Sequence, residues 1–142
     1  MKRVMAFGSF DILHPGHIDY LSKAKGLGDF LIVVVARSES IRKLKGRMPF
    51  FDERDRLRTI RSLGIVDKAV LGNRMGNPED RYGVLRKYRP DVVVFGYDQR
   101  IDVSSVRNWL RRNGIKARVV KLRAGLMTHK YKSSKIRRAL EA

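Results

Sequence analysis

The stretch FLIVVVA (residues 30–36) contains seven consecutive apolar residues, four of which are β-branched. A short, continuous run of this kind is typical of a strand that is buried on both faces of a parallel sheet. DVVVFG (91–96) has the same character. Three further apolar runs predict three more strands: RVMAF (3–7), VDKAVLG (66–72) and KARVVKL (116–122).

Helical patterns alternate with these strands. The first opens near Gly16 and places Ile18, Leu21 and Ala24 on one face. Four more are expected over residues 52–63, 78–88, 103–110 and 133–140. Strand–helix alternation repeated five times predicts an α/β fold: a single Rossmann-like domain over residues 1–142, with a doubly wound, five-stranded parallel sheet flanked by helices.

Charge is the outlying property of the chain, because 32 Lys and Arg residues face 14 Asp and Glu residues, which gives a formal charge of +18. Such a field attracts phosphorylated molecules, nucleic acid or acidic membranes. The cations are spread along the whole chain without a separate basic tail, so nucleic acid is not the expected partner. No apolar run approaches the roughly 20 residues of a membrane span, and no signal peptide is recognisable, which favours a cytoplasmic protein without a membrane.

Familiar chemical motifs are missing. The chain has no cysteine, which excludes disulfides, thiolate zinc sites and a cysteine nucleophile. It has no GxxxxGK[ST] and no GxGxxG after the first strand, so neither a P-loop nor dinucleotide redox chemistry is indicated. Instead, GSFDILHPGH, ARSES and GYDQ follow strands one, two and four. Carboxyl ends of parallel strands form the ligand-binding rim of such sheets, so these segments predict one site.

His14 and His17 are open to four interpretations, one of which is that their spacing is coincidental. As metal ligands they would need further donors, such as His129 and Asp11, but their spacing across a Pro-Gly turn is not a zinc pattern. They could be structural, with one satisfied in the turn and the other capping a helix. Alternatively, a helix that begins at Gly16 offers free N–H groups to an anion, and two imidazoles beside it can donate hydrogen bonds to a phosphoryl group.

Two basic segments fit the same phosphate chemistry. RKLKGR (42–47) has the composition of a mobile loop over a β- or γ-phosphate, although a solvated surface run explains it as well. YKSSKIRRAL (131–140) begins a helix at Ser133 or Ser134 with cations in its first turn, where a bound anion would offset their repulsion by the helix dipole. MPFF (48–51) is expected to anchor its loop to the core through Phe50 or Phe51; the alternative is a wall for a flat substrate.

Several of these segments resemble one known superfamily. GSFDILHPGHIDYL (8–21) is similar to the first signature of the HxGH nucleotidyltransferases, and SSKIR (133–137) to their second. VARSESIRKLKGRMPFFDERDRL (35–57) and VFGYDQ (94–99) resemble the cytidylyltransferases and archaeal-type FMN adenylyltransferases (FAD synthases). The similarity runs through nearly the whole chain in consistent order.

The resemblance implies roles for individual residues. His14 and His17 would stabilise the transition state at the nucleotide α-phosphate, and Lys45, or Lys43, would neutralise the β- and γ-phosphates. The residues implied in nucleotide or phosphate binding are Phe7, Gly8, Ser9, Phe10, Gly16, Lys43, Asp98, Ser133, Ser134 and Arg137. Those implied near the acceptor are Asp11, Phe50 and Phe51. Mg²⁺ or another divalent cation would arrive with the triphosphate, with no fixed protein ligands to a metal.

The substrates are expected to be ATP and FMN, because the segments around ARSES and GYDQ look most like that subgroup. Alternatives are CTP with glycerol-3-phosphate, a sugar phosphate of the lipopolysaccharide-core type, and phosphopantetheine. A basic nucleic-acid-binding module on an inactive fold is the alternative from another class. The family's habit implies a homodimer.

Overall fold

The computed structural model describes residues 1–74 and 82–123 of the chain. Its five strands are β1 (Arg3–Gly8), β2 (Phe30–Val35), β3 (Lys68–Leu71), β4 (Val92–Phe95) and β5 (Arg118–Lys121). They form one sheet in the order β3-β2-β1-β4-β5, and every neighbouring pair is parallel. The α/β fold and the five strands expected from the sequence are confirmed.

Helices cover both faces of the sheet. The described helices are α1 (Pro15–Lys25), α2 (Ser38–Lys45), α3 (Glu53–Arg61), α4 (Gly83–Tyr88) and α5 (Val103–Arg112). On one face, Leu21 and Ala24 of α1 and Ile60 of α3 pack against side chains of the central strands. On the other face, Leu85 of α4 and Trp109 of α5 complete a second core cluster. The sheet is therefore doubly wound, with β1 at its centre.

Helix α2 corrects the expectation for the basic segment after strand two. Residues 42–45 of RKLKGR are not loop but the last turn of α2, which ends at Gly46 in the left-handed region (φ 78°). A left-handed residue after a helix is a common stop signal, and glycine adopts it without strain. The segment SESIRKLK has few apolar residues, and of these only Ile41 is buried. Hydrophobic periodicity therefore could not predict this helix.

Two expected helical segments fall wholly or partly outside the described residues. The segment 133–140 lies outside them altogether. Of the segment 78–88, residues 78–81 lie outside, and the described part is helical from Gly83.

The strand order leaves an opening beside β1. Residues of β1 pair with β2 along its whole length, up to Gly8 with Val35. Pairing with β4 ends earlier, at Ala6 with Val94. Because the connections from β1 and β4 leave in opposite directions, the two strands separate at their carboxyl ends, which is where sheets of this class bind ligands.

Candidate functional site

Two side chains hold the opening between β1 and β4 in shape. The Tyr20 hydroxyl accepts from the Phe7 N–H (3.1 Å) and lies within donating distance of the carbonyls of Phe7 (2.8 Å) and Val94 (3.0 Å). The Gln99 amide donates to the Phe7 carbonyl (2.8 Å) and accepts from Gly96 N–H (2.6 Å). These contacts satisfy backbone groups that the separating strands leave unpaired.

His14 and His17 lie at this opening and build the start of α1 themselves. His14 is the N-cap residue, and its Nδ1 accepts from Gly16 N–H at 3.0 Å. His17 reaches back, so that its Nδ1 accepts from His14 N–H at 3.2 Å. The pair thus forms a reciprocal capping box in which both side-chain acceptors are imidazoles. Their rings stack with centroids 3.9 Å apart.

The capping bonds assign the tautomer of both rings. A nitrogen that accepts a backbone N–H carries no proton, so the single proton of each neutral imidazole resides on Nε2. The structural and the chemical interpretations of the histidines are therefore compatible, because Nδ1 caps the helix while the donor of each ring is the other nitrogen, Nε2.

Both rings are held neutral. Burial lowers the pKa of His17 to about 3, and repulsion by a protonated His14 and by Lys45 adds to the shift. Burial also lowers the pKa of His14, while the nearby carboxylate of Asp98 opposes that shift. The charge of Lys45 thus acts on His17, and that of Asp98 acts on His14.

The expectation of free N–H groups at the start of α1 is wrong. Pro15 has no N–H, Gly16 donates to the His14 ring, and His17 N–H donates to the His14 carbonyl at 2.9 Å. The helix end is satisfied by its own residues, so hydrogen bonds to an anion here must come from the imidazoles rather than from these backbone groups.

The turn that leads from β1 to the histidines is tightly packed. Phe10 is buried with φ 50°, a region that non-glycine residues rarely adopt, and its ring contacts the edge of His17 at 5.5 Å. A Cβ on Gly8 would lie 2.7 Å from two carbons of the Phe10 ring, which excludes any side chain there. Phe7 stacks on Phe95 at 5.4 Å. Phe7, Gly8 and Phe10 therefore shape the turn around Ser9.

The two candidate lysines differ in their surroundings. Lys43 lies 3.8 Å from the carboxylate of Glu39, one turn earlier on α2. Lys45 is exposed at the end of α2 and forms no ion pair with a carboxylate within the described ranges. Because its charge also acts on His17, Lys45 is the better placed of the two to meet a phosphate beside the histidines.

Asp11 holds the residues that follow α2. Its two carboxylate oxygens accept from Phe50 N–H and Phe51 N–H, each at 2.8 Å. The expectation that Phe50 or Phe51 anchors this loop to the core is wrong, because their side chains are 47% and 42% exposed. The two rings instead contact each other edge to face at 5.0 Å. Polar bonds to the backbone, rather than apolar burial, fix the loop.

Arg56 is a site neighbour that the sequence analysis missed. It lies on α3, is only 1% exposed, and donates to groups from three separate segments, including the Ser9 carbonyl. Burial lowers its pKa, whereas the carboxylates of Asp11, Glu53 and Asp52 raise it. The available signal was its spacing, four residues before the buried Ile60 on the inward face of α3.

The second signature lies outside the described residues, and with it Ser133, Ser134, Arg137 and His129. Within residues 1–74 and 82–123, no group of three or more His, Cys, Asp or Glu side chains is arranged to hold a metal ion. In the same part of the chain, no helix has the length and apolar character that a membrane span requires.

The fold brings both histidines to the carboxyl end of its central strand, the edge at which α/β proteins of this class bind their ligands. A family model described as cytidylyltransferase-like matches residues 5–139. The chain belongs to this family and is a nucleotidyltransferase.

Named relatives and solved structures agree with this membership. The chain is 46% identical over 125 residues to the FAD synthase of Ferroglobus placidus, covering 87% of this chain and 78% of that protein. It is 47% identical to the FAD synthase of Methanothrix thermoacetophila, covering 86% and 81%. A lipopolysaccharide core biosynthesis protein from Thermoplasma volcanium superposes with a TM-score of 0.80 at 41% identity, covering 89% and 98%.

Proposed function

We propose that this chain transfers the adenylyl group of ATP to the phosphate of FMN, producing FAD and pyrophosphate. The observation that carries the proposal is the histidine pair, whose Nδ1 atoms cap α1, whose neutral rings carry their proton on Nε2, and on which the charge of Lys45 acts at His17. The relatives that bear the name FAD synthase support the choice of substrates.

The chemistry requires placement and charge stabilisation. An oxygen of the FMN phosphate attacks the α-phosphorus of ATP, and the bond from that phosphorus to the bridging oxygen breaks, so pyrophosphate leaves with the electron pair. The attacking phosphate is already ionised near neutral pH, so no strong base is needed. Nε2–H groups of His14 and His17 donate to the α-phosphate oxygens as negative charge accumulates on them.

The triphosphate is held by cations and hydroxyls. Lys45 neutralises the β- and γ-phosphates and the departing pyrophosphate, and the Ser9 hydroxyl lies beside them. Ser133, Ser134 and Arg137 of the second signature are proposed to hold the pyrophosphate end. Mg²⁺ or a similar cation would accompany the triphosphate as part of the substrate and reduce its charge.

The acceptor is proposed to lie beside Asp98 and the loop after α2. Exposed phenyl rings at Phe50 and Phe51 provide an apolar wall, which a flat isoalloxazine ring can contact. Asp11 keeps that wall in place through the backbone. Asp98, exposed and close enough to act on His14, is available to a ribose hydroxyl.

A sugar phosphate is the second candidate acceptor. The observation that favours it is the 41% identical Thermoplasma volcanium structure, which is described as a lipopolysaccharide core biosynthesis protein. The same histidines would then act on a nucleotide whose α-phosphate is attacked by a sugar phosphate rather than by FMN.

Pyrophosphate release decides between these acceptors. ATP and CTP are each tested with Mg²⁺ against FMN, glycerol-3-phosphate, heptose-1-phosphate and phosphopantetheine, and the nucleotide product is identified by chromatography. Release from ATP only with FMN, together with FAD formation, is the expected result. Release with heptose-1-phosphate would replace FMN by the sugar phosphate. Silence across the panel, with salt-sensitive RNA binding, would favour the inactive basic module.

The homodimer expected from the family resemblance stays a prediction. Light scattering measures it directly, since a dimer has twice the chain mass of 16.4 kDa.

A further inference from the structure

Arg56 carries a charge in the interior of the protein. It is the largest of the fully buried side chains of the described residues, with 1% of its surface exposed. Burying a charged group is unfavourable unless its hydrogen-bonding capacity is met. The partners that meet it here therefore show what the side chain holds together.

Four acceptors surround the guanidinium. Nη1 donates to the carbonyls of Ser9 (2.8 Å) and Ala36 (2.7 Å), Nε donates to the Phe51 carbonyl (3.0 Å), and Nη2 donates to Ser38 Oγ (3.1 Å). Ser9 follows β1, Ala36 and Ser38 follow β2, and Phe51 precedes α3. One planar group thus links three segments that are far apart in the sequence.

Two of these three segments, those of Ser9 and Phe51, are assigned to different substrates in the proposed reaction. Ser9 lies in the turn assigned to the triphosphate, and Phe51 lies in the loop assigned to the acceptor. Phe51 is held on both sides, because Asp11 accepts from its N–H and Arg56 donates to its carbonyl. Asp11 itself lies two residues after Ser9, so the same turn is connected to the loop twice.

We propose that Arg56 is a positioning residue that sets the triphosphate turn at Ser9 and the acceptor loop at Phe51 in fixed relation to each other. The assignment of the two segments to the two substrates rests on the proposed function. Arginine is suited to this task because its five N–H donors lie in a fixed plane. A lysine retains the charge but presents a single nitrogen, so it cannot keep all four contacts.

If Arg56 only stabilised the fold, any substitution that destabilises α3 equally would lower activity equally. A matched variant on the same helix separates this structural role from the positioning role. Ile60 lies one turn after Arg56 on α3, is fully buried, belongs to the core cluster, and has an apolar side chain that forms no hydrogen bond to the turn or the loop. Ile60→Ala lowers stability by leaving a cavity but leaves the four acceptors of Arg56 in place. It is therefore the control for lost stability without lost positioning.

The kinetic test compares Arg56→Lys, Arg56→Ala and Ile60→Ala at a temperature where circular dichroism shows each to be folded. We expect both Arg56 variants to lower kcat by about tenfold or more and to raise KM for ATP and for FMN together, because both sides of the reaction lose their alignment. Guanidinium ion at millimolar concentration should restore the activity of Arg56→Ala, with a saturable dependence on its concentration. Ammonium at equal ionic strength should not restore it. Wild-type constants in Arg56→Lys, or equal losses in Arg56→Ala and Ile60→Ala, would overturn the proposal.

A second readout does not depend on turnover. Amide hydrogen exchange reports whether the two segments are ordered together. We expect peptides spanning residues 8–12 and 47–52 to exchange faster in Arg56→Lys than in the wild type, and not in Ile60→Ala. Absence of FAD formation by the wild type would contradict the proposed function while leaving this test intact. Unchanged exchange of both peptides in Arg56→Lys would overturn the positioning role itself.

Discussion

The histidine turn (residues 14–17) and the phenylalanine loop (residues 46–52) are fixed in opposite ways. The turn is held by its own residues: the ring of His14 bonds two residues ahead, and that of His17 bonds three residues back. The loop is held by residues outside it, by Asp11 about 40 residues earlier in the chain and by Arg56 on the following helix. The turn therefore presents two polar donors whose direction is set locally, whereas the loop presents two apolar rings whose place depends on the fold.

The largest effect is expected in the histidine turn. In His17→Asn, the amide oxygen takes the place of Nδ1, so the bond from His14 N–H is kept while the Nε2–H donor is lost. We expect kcat to fall by about 100-fold or more, as for other donors aimed at developing charge, with the melting temperature within a few degrees of the wild type. Steady-state kinetics and thermal unfolding measure the two quantities.

His17→Gln is the matched control for this substitution. Its longer side chain can bring an amide N–H close to the Nε2 position, so it should retain more activity than the asparagine variant. A kcat loss below about threefold in folded His17→Asn would assign the pair to capping alone.

Substitution of Lys45 tests whether the end of α2 and the histidine turn bind the same triphosphate. Lys45→Ala should raise KM for ATP by about tenfold, since one charge-assisted contact to phosphate is lost. It should also raise the pKa of His17, because the lysine charge contributes to the low value, and NMR titration of the ring would show this. Lys43→Ala is the control, because Lys43 already lies beside Glu39. Equal effects of the two substitutions would remove the distinction between the lysines.

Asp11 tests the phenylalanine loop. Asp11→Ala leaves two backbone N–H groups without their carboxylate, so the loop loses its order. We expect KM for FMN to rise about threefold to tenfold, with KM for ATP changed much less. The measurement is a pair of substrate titrations at saturating co-substrate.

Asp102 provides the control for that loss. Its carboxylate also accepts from two backbone N–H groups, those of Ser104 and Ser105, but it caps α5 and has no bond to the loop. Asp102→Ala should lower the melting temperature modestly, because α5 loses its N-cap, and leave both KM values unchanged. A rise in KM for ATP as large as that for FMN in Asp11→Ala would show that the loop does not serve the acceptor alone.

The same contrast explains how far the sequence could be interpreted. Continuous apolar runs rich in β-branched residues, such as residues 30–35, predict buried parallel strands directly. The two histidines could be recognised by their spacing around Pro15 and Gly16. The fold and the position of the site follow from such local patterns. The expectation of core anchoring by Phe50 and Phe51 failed, because the apolar character of a loop does not indicate whether distant polar groups hold its backbone.

Contacts between segments that are distant in the sequence could not be predicted either, because they too depend on the tertiary fold. Tyr20 and Gln99 bond backbone groups at the point where β1 and β4 separate, and that point is set by strand order rather than by either residue's neighbours in sequence. In the sequence, Arg56 does not differ from the other cations of this basic chain. Its burial becomes evident only when α3 packs beside the ends of β1 and β2. Among the many Lys and Arg residues of the chain, the sequence does not distinguish Arg56, which is buried, from those that are exposed in residues 1–74 and 82–123.

The smallest expected effect concerns stability rather than rate, and it isolates the histidine turn once more. The pKa of His17 is lowered from 6.5 in the unfolded chain to about 3 in the fold. Above pH 6.5 neither state binds the proton. Between pH 6.5 and about pH 3 the unfolded chain binds it and the folded protein does not, so the free energy of unfolding falls as the pH falls.

His17→Asn cannot take up this proton and should therefore lose less stability on acidification. Between pH 7 and pH 5 we expect the wild type to lose about 1–2 kcal/mol more than the variant, after allowance for partial exposure of the ring. Denaturant unfolding at the two pH values measures the difference. Asp67, whose pKa is lowered mainly by its hydrogen bond from Lys25, loses its contribution only near and below pH 4 and does so equally in both proteins. Parallel stability profiles between pH 7 and pH 5 would mean that the ring accepts a proton in the fold as readily as in the unfolded chain, and that burial does not lower the pKa of His17.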